Sequence, residues 1–167
     1  MDMTMTTVIN HLKEAWSTPR RTSESDPSSP DLDVACSFSD SGAEQLPSAL
    51  PPDLSEFWHN CESARLFEDR KYGQWGLVLL NPQESTERSN AFQARRARDY
   101  MSGDRIVGEF LGDSDLLLVR CDPAANDFGK VVVALPIDAR DDWYVVAPSF
   151  SEFLNKYTKT EGNKFWE

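Results

Sequence analysis

Apolar positions along the chain repeat with two different periods. Near Thr6–Trp16, residues Val8, Ile9, Leu12 and Trp16 share one helical face, with threonines ahead as caps and Pro19 ending the pattern. A second stripe, Leu54, Phe57, Trp58 and Cys61, falls at i, i+3, i+4 and i+7. It follows Leu50-Pro51-Pro52-Asp53, which supplies prolines for a helix start and an acid for its first turn. Arg65–Glu68 and Gly76–Leu80 read as short strands, the second broken by Asn81-Pro82. Glu87 to Met101 reads as a third helix, rich in alanine. Its Arg88, Arg95, Arg96 and Arg98 form a solvated face balancing local acids; a nucleic-acid patch is the weaker alternative, because nothing nearby extends it.

From Gly103 the period shortens to that of extended chain. Ile106–Leu111, Asp115–Arg120, Lys130–Leu135 and Trp143–Ala147 are β-branched or apolar runs separated by Gly112-Asp113, Asp122-Pro123 and Ala139-Arg140-Asp141-Asp142. The gaps are too short for crossover helices, so neighbouring strands are expected to pair antiparallel. Ser149-Phe150-Ser151-Glu152 is a capping box, and Phe150, Phe153, Leu154 and Tyr157 give the stripe of the helix behind it. No internal repeat interrupts this order. The pattern predicts an α+β single domain: a central, largely antiparallel sheet packed by helices, with a closing C-terminal helix. Residues 1–16 are expected to be a helix belonging to the domain, 17–43 a Ser/Asp/Pro-rich flexible linker or insertion, and 44–167 the body.

Composition narrows the chemistry. The 167 residues suit one core, and no apolar run approaches the ~20 residues that cross a bilayer. Met1-Asp2-Met3-Thr4-Met5 has neither the basic start nor the apolar stretch of a signal peptide, so a cytoplasmic location is expected. Acidic residues outnumber basic ones 28 to 17, net charge −11. A field of that sign repels phosphate backbones and anionic membranes and attracts a basic protein. Cys36, Cys61 and Cys121 are odd in number and widely spaced, which argues against a disulfide framework and a structural zinc site. His59 and Cys61 are read as a helix face with one buried thiol, and only His11 and His59 are available as histidine bases.

Specific motifs give no catalytic constellation. Gly112-Asp113-Ser114 resembles the nucleophile block of an esterase family, but no histidine follows Ser114, so a tight turn is the better reading. Asp113, Asp115 and Asp122 lack the spacing of a calcium loop, and no metal or cofactor is expected. Trp75, between Gly73 and Gly76, reads both as a core residue closing one end of the sheet and as a partly exposed anchor for a protein. Both can hold for one side chain.

The order of segments resembles the SUKH superfamily. The resemblance rests on Leu50-Pro51-Pro52-Asp53-Leu54-Ser55-Glu56-Phe57-Trp58, on Gly73-Gln74-Trp75-Gly76-Leu77, on Ile106 to Leu117 with Gly108 and Gly112-Asp113, and on Trp143 to Leu154 with Ala147-Pro148-Ser149-Phe150. It covers about residues 46–157; Asn60-Cys61-Glu62 departs from the Asn-Gly turn common after the first of these helices. The resemblance implies a non-enzymatic binding module. It implies either an immunity protein that neutralises a polymorphic toxin of the nuclease or deaminase class by stoichiometric binding, or an intracellular regulator of the cell-wall-synthesis type. A metal-dependent hydrolase using the Asp cluster is the third and weakest reading.

The expected partner is therefore a protein, a basic toxin domain, and the expected contact residues are Glu68, Asp69, Trp75, Glu109, Asp113 and Asp115. Acids steer and Trp75 anchors. Charge reversal at Asp113 and Asp115 together is expected to weaken binding without unfolding the chain.

Overall fold

A computed structural model describes residues 3–23, 32–39 and 42–167. The elements follow in the order α1 (Met5–Ala15), β1 (Arg20–Arg21), β2 (Asp33–Phe38), α2 (Pro52–Asn60), β3 (Ala64–Glu68), β4 (Leu77–Leu79), α3 (Pro82–Arg95), β5 (Asp104–Phe110), β6 (Leu116–Arg120), β7 (Val131–Ala134), β8 (Tyr144–Ala147) and α4 (Phe150–Lys159). The eight strands form one sheet in sequence order, every neighbouring pair antiparallel. The fold is α+β, with the C-terminal helix closing it.

Strand alternation sorts the apolar side chains onto two faces. Leu117, Val119, Val131 and Val133 join the main core, where α1, α2 and α4 bring Leu12, Phe57, Trp58, Phe153 and Tyr157. Their neighbours Leu118, Val132 and Ala134 point the other way, into a smaller cluster with Phe92 of α3 and Trp143. The larger core is aromatic: Phe57 meets Phe150 edge-on at 5.5 Å, and Tyr157 stacks on Phe153 at 5.4 Å. Burying one such ring contributes about 1.5–3 kcal/mol.

Three local findings depart from the sequence expectations. The helix α3 begins at Pro82, because Asn81 is its N-cap and Glu84 reaches back to complete a capping box, with proline in the first turn. It ends at Arg95, and Arg96 beyond it donates to the Leu135 carbonyl of the β7–β8 connection. Part of the stretch expected as a linker, Asp33–Phe38, is a strand whose Val34, Ala35 and Cys36 are buried. Within the same stretch, residues 24–31 and 40–41 lie outside the described residues.

At the end of β3, Phe67 is fully buried at a φ of 52°. The bulge between β2 and β3 lets Leu66 and Phe67 both enter the core, against strict alternation. Trp16 meets the Phe67 ring edge-on at 5.1 Å, and Gly162 packs so closely that an added Cβ would lie 2.5 Å from Phe67 Cβ. Packing from both sides holds this uncommon backbone in place. It also fixes the direction in which the chain leaves β3.

Candidate functional site

In an antiparallel meander every second connection leaves the same end of the sheet. The connections β3–β4 (residues 69–76), β5–β6 (111–115) and β7–β8 (135–143) share one end here. Asp69 builds the first of them. Its Oδ1 accepts the Lys71 and Tyr72 backbone N–H groups at 3.0 and 3.1 Å, and its own N–H donates to the Trp75 carbonyl at 2.9 Å. The turn lifts Tyr72 to 59% exposure, while Trp75 lies half-buried against the main core.

The second connection docks onto the first. Leu111 N–H donates to the Gly76 carbonyl at 2.8 Å, and Gly112 sits at φ 97° directly against the Gln74 carbonyl. A Cβ at Gly112 would collide with that carbonyl, so the close approach of the two loops requires glycine. Lys164, behind α4, then ties the acids together. It pairs with Asp113 and lies 3.4 Å from Asp115, with its ammonium 5.9 Å from the Trp75 ring centre and 5.2 Å from that of Phe110. The Lys164 side chain is only 7% exposed, and burial pushes its pKa down. Burial pushes the Asp115 carboxyl above its usual range, and the charges of Glu167 and Asp138 add to the shift.

These positions qualify the expected contact set. Trp75, Asp113 and Asp115 are brought together around Lys164, with Asp69 in the adjoining turn. Asp69 is 1% exposed and serves its own loop, and Asp115 is buried. Glu68 pairs with Arg65 at 2.6 Å and approaches Arg70 at 3.9 Å. Glu109 pairs with Arg88 of α3 and lines a groove beside that helix. The expectation that reversing Asp113 and Asp115 together leaves the fold intact is corrected: a lysine at 115 would place a second buried cation against Lys164.

Three further residues belong to this end of the molecule. Tyr72 carries the signal of an Asp-x-x-Tyr-Gly turn, which sequence reasoning passed over. Lys164, about fifty positions from its acids, leaves no local signal. Ile137, in the third connection, is 93% exposed. That connection folds back over the α3 side, where Arg96 donates to the Leu135 and Asp138 carbonyls at 2.6 Å each and Trp143 Nε1 donates to the Asp138 carbonyl at 3.0 Å. Trp143 itself is a core residue of the smaller cluster.

Cys36, Cys61 and Cys121 are all buried, and desolvation pushes each thiol up to about 12. Among the described residues, no group of three or more His, Cys, Asp or Glu is placed to hold a metal ion, and no helix is long and apolar enough to cross a membrane.

The fold and this end define a class: an α+β domain whose antiparallel meander is covered, among the described residues, by three helices on one face and one on the other, with hairpin loops projecting from one end. Residues 43–156 match the profile of the SMI1 / KNR4 family (SUKH-1), and the chain belongs to that family. The match begins after β2 and ends within α4. No curated protein matches the chain. The family includes immunity proteins and Smi1/Knr4 regulators, and its members bind protein partners.

Proposed function

We propose that this chain is a non-enzymatic, cytoplasmic immunity protein that neutralises a basic toxin domain of the nuclease or deaminase class by stoichiometric binding. The observation that carries the reading is the locked pair of hairpin connections, which presents Tyr72 and Trp75 beside Asp113 in a chain of net charge −11. Lys164 lies over the half-buried Trp75 ring and Asp69 fixes the Tyr72 backbone, so the turn holds both aromatic residues in place and suits them to anchor positions. The acids speed encounter with a basic surface and share the sign of a nucleic-acid substrate. Of the residues expected from sequence, Trp75 and Asp113 are the ones proposed as direct contacts; Asp69 and Asp115 build the platform.

The test is a tagged pull-down from the native organism, followed by calorimetry with whatever co-purifies. One dominant basic partner is expected, bound with one-to-one stoichiometry. Tyr72→Ala is expected to weaken that binding by about 2 kcal/mol, as for an interface anchor. Several unrelated partners, or affinity unchanged by Tyr72→Ala and Trp75→Ala, would overturn it. The alternative is an intracellular regulatory or scaffold protein of the cell-wall-synthesis-regulator type. It is favoured by one observation, a second concave surface lined with arginine on an acidic molecule.

A further inference from the structure

Among the described helices α3 alone packs on the second face of the sheet, beside Trp143 of the β7–β8 connection, and it does not cover all of it. Between α3, β5, β6 and the start of the β7–β8 connection runs a groove of about 240 Å³. Its floor is apolar: Phe92, Ile106, Leu116 and Ala134. Leu116 remains half-buried although it packs on the cluster beneath, as does Val78 nearby. The rim is cationic, with Arg88 and Arg95 seven residues, about two turns, apart on the same helix side. Arg88 is paired with Glu109, whereas Arg95 is exposed and makes no ion pair among the described residues. On a chain of net charge −11, an exposed arginine beside a shallow apolar floor, in which Leu116 is half-buried and Phe92, Ile106 and Ala134 lie beneath it, favours an occupant opposite in sign to the partner of the sheet end.

We infer that this groove is a docking site for an acidic peptide segment of a protein partner, one carrying an aromatic or aliphatic side chain next to a carboxylate. The apolar side chain would sit on Ile106, Leu116 and Ala134, within a volume that suits one or two side chains. The carboxylate would pair with Arg95 and compete with Glu109 for Arg88. A nucleic acid is a long polyanion that meets the overall negative charge along its whole length, whereas a short acidic segment meets chiefly the arginines of the rim. A second copy of the chain would bring another net −11 against this one. The groove reaches the β5–β6 turn at Ser114 and so adjoins the sheet end, but Tyr72 and Trp75 do not line it, so variants at Arg95 and at Tyr72 separate the two surfaces.

The experiment titrates the full-length protein against fluorescein-labelled octapeptides by anisotropy. One set alternates Glu with Phe or Leu; the controls alternate Lys with Phe, and Glu with Ser. The Glu/Phe and Glu/Leu peptides are expected to bind at least about tenfold tighter than both controls. Arg95→Glu, and Ala91→Trp, which fills the groove from the face of α3, are each expected to remove about tenfold or more of that affinity, with melting unchanged. Tyr72→Ala is expected to leave it unchanged. The inference is overturned by no preference among the peptides, or by affinity that ignores Arg95→Glu. A dimer in sedimentation that Arg95→Glu dissociates would overturn it too, by assigning the groove to a second copy.

Discussion

Opposite ends of β5 and β6 each carry a cluster of carboxylates and cations, and the two are built for different ends. At the start of β5, Asp104 accepts from Arg120 at 2.7 Å and from two nitrogens of Arg140 at 2.5 and 3.0 Å. Arg120 adds Asp127 at 2.9 Å and the Ser102 carbonyl at 2.9 Å, and its side chain is 3% exposed. Asp99 joins by accepting from the Arg140 backbone and from Arg96. Three separate stretches of chain, 96–104, 120–127 and Arg140, meet there, and the Asp104 carboxylate is shared between two guanidinium groups. At the other end, Lys164 serves Asp113 and Asp115 with one ammonium, and Asp113 stays 42% exposed. The first cluster is a closed internal joint; the second keeps one carboxylate available to a partner. Partner affinity should follow the second and fold stability the first.

The sharpest way to break that contrast is Asp104→Ala. It leaves Arg120 buried with one carboxylate fewer and loosens Arg140, and with it the β7–β8 connection, from the start of β5. Removing one member of a buried ionic set costs about 3–5 kcal/mol. A urea titration of the variant is expected to show a loss in that range, with partner affinity preserved in the fraction that folds. A loss below about 1 kcal/mol would mean that this joint is not structural.

Next in size is Lys164→Met. It keeps the stem that packs on Trp75 and Phe110 but strips the charge, leaving Asp115 buried without its cation. The expected cost is about 1–3 kcal/mol, that of an unmatched buried polar group. Adding Asp115→Asn to the same chain is expected to restore much of it. A double variant as unstable as the single one would place the cost in packing rather than charge.

The two clusters were also unequally legible in the sequence. Stripes such as Leu54, Phe57, Trp58 and Cys61, or Phe150, Phe153, Leu154 and Tyr157, declare helices because period and burial coincide within a few residues. The strands from β5 to β8 were readable for the same reason. The strand β2 was not: Val34, Ala35 and Cys36 are a short apolar island among Ser, Asp and Pro, and the sheet rather than local preference makes them extended. Asn81-Pro82 marks both a strand end and a helix start, and the pattern of apolar residues signals only the first. The acids Asp113 and Asp115 stood out as a turn, yet what they do depends on Lys164, and Asp104 depends on Arg120 and Arg140. Pairings across the chain have no periodicity to betray them. Sequence therefore located the loop end and Trp75 but not which of its acids face outward.

A smaller effect separates the clusters by pH. Asp127 titrates below its usual range, first because Arg120 hydrogen-bonds it. Its contribution is present above the ordinary carboxylate pKa of about 3.9 and is lost as pH falls through the lowered value. Asp115 is shifted upward by burial, so its contribution runs the other way: present at low pH and lost as pH rises through the raised value. Urea midpoints between pH 3 and 6 are expected to show both slopes. Asp127→Asn should flatten the acid side and Asp115→Asn the side above it. Slopes of the same sign at both sites would contradict the assignment.

The smallest stability effect belongs to Asp113→Asn, and it is the most informative about function. The carboxylate is exposed enough that its pair with Lys164 is worth no more than about 1 kcal/mol, and the neutral amide still fills the turn and can accept the Asp115 N–H now held by Oδ1 at 3.1 Å. Melting is expected to change little. Association with a basic partner is expected to slow several-fold at low salt, with dissociation almost unchanged, because an exposed acid acts on encounter rather than on the closed complex. The difference should vanish at high ionic strength, where the Debye length shrinks to about 3 Å. Stopped-flow association across a salt series reads this directly. If Asp113→Asn slows association equally at all salt concentrations, Asp113 is a packed contact and the steering role passes to the other exposed acids of the molecule.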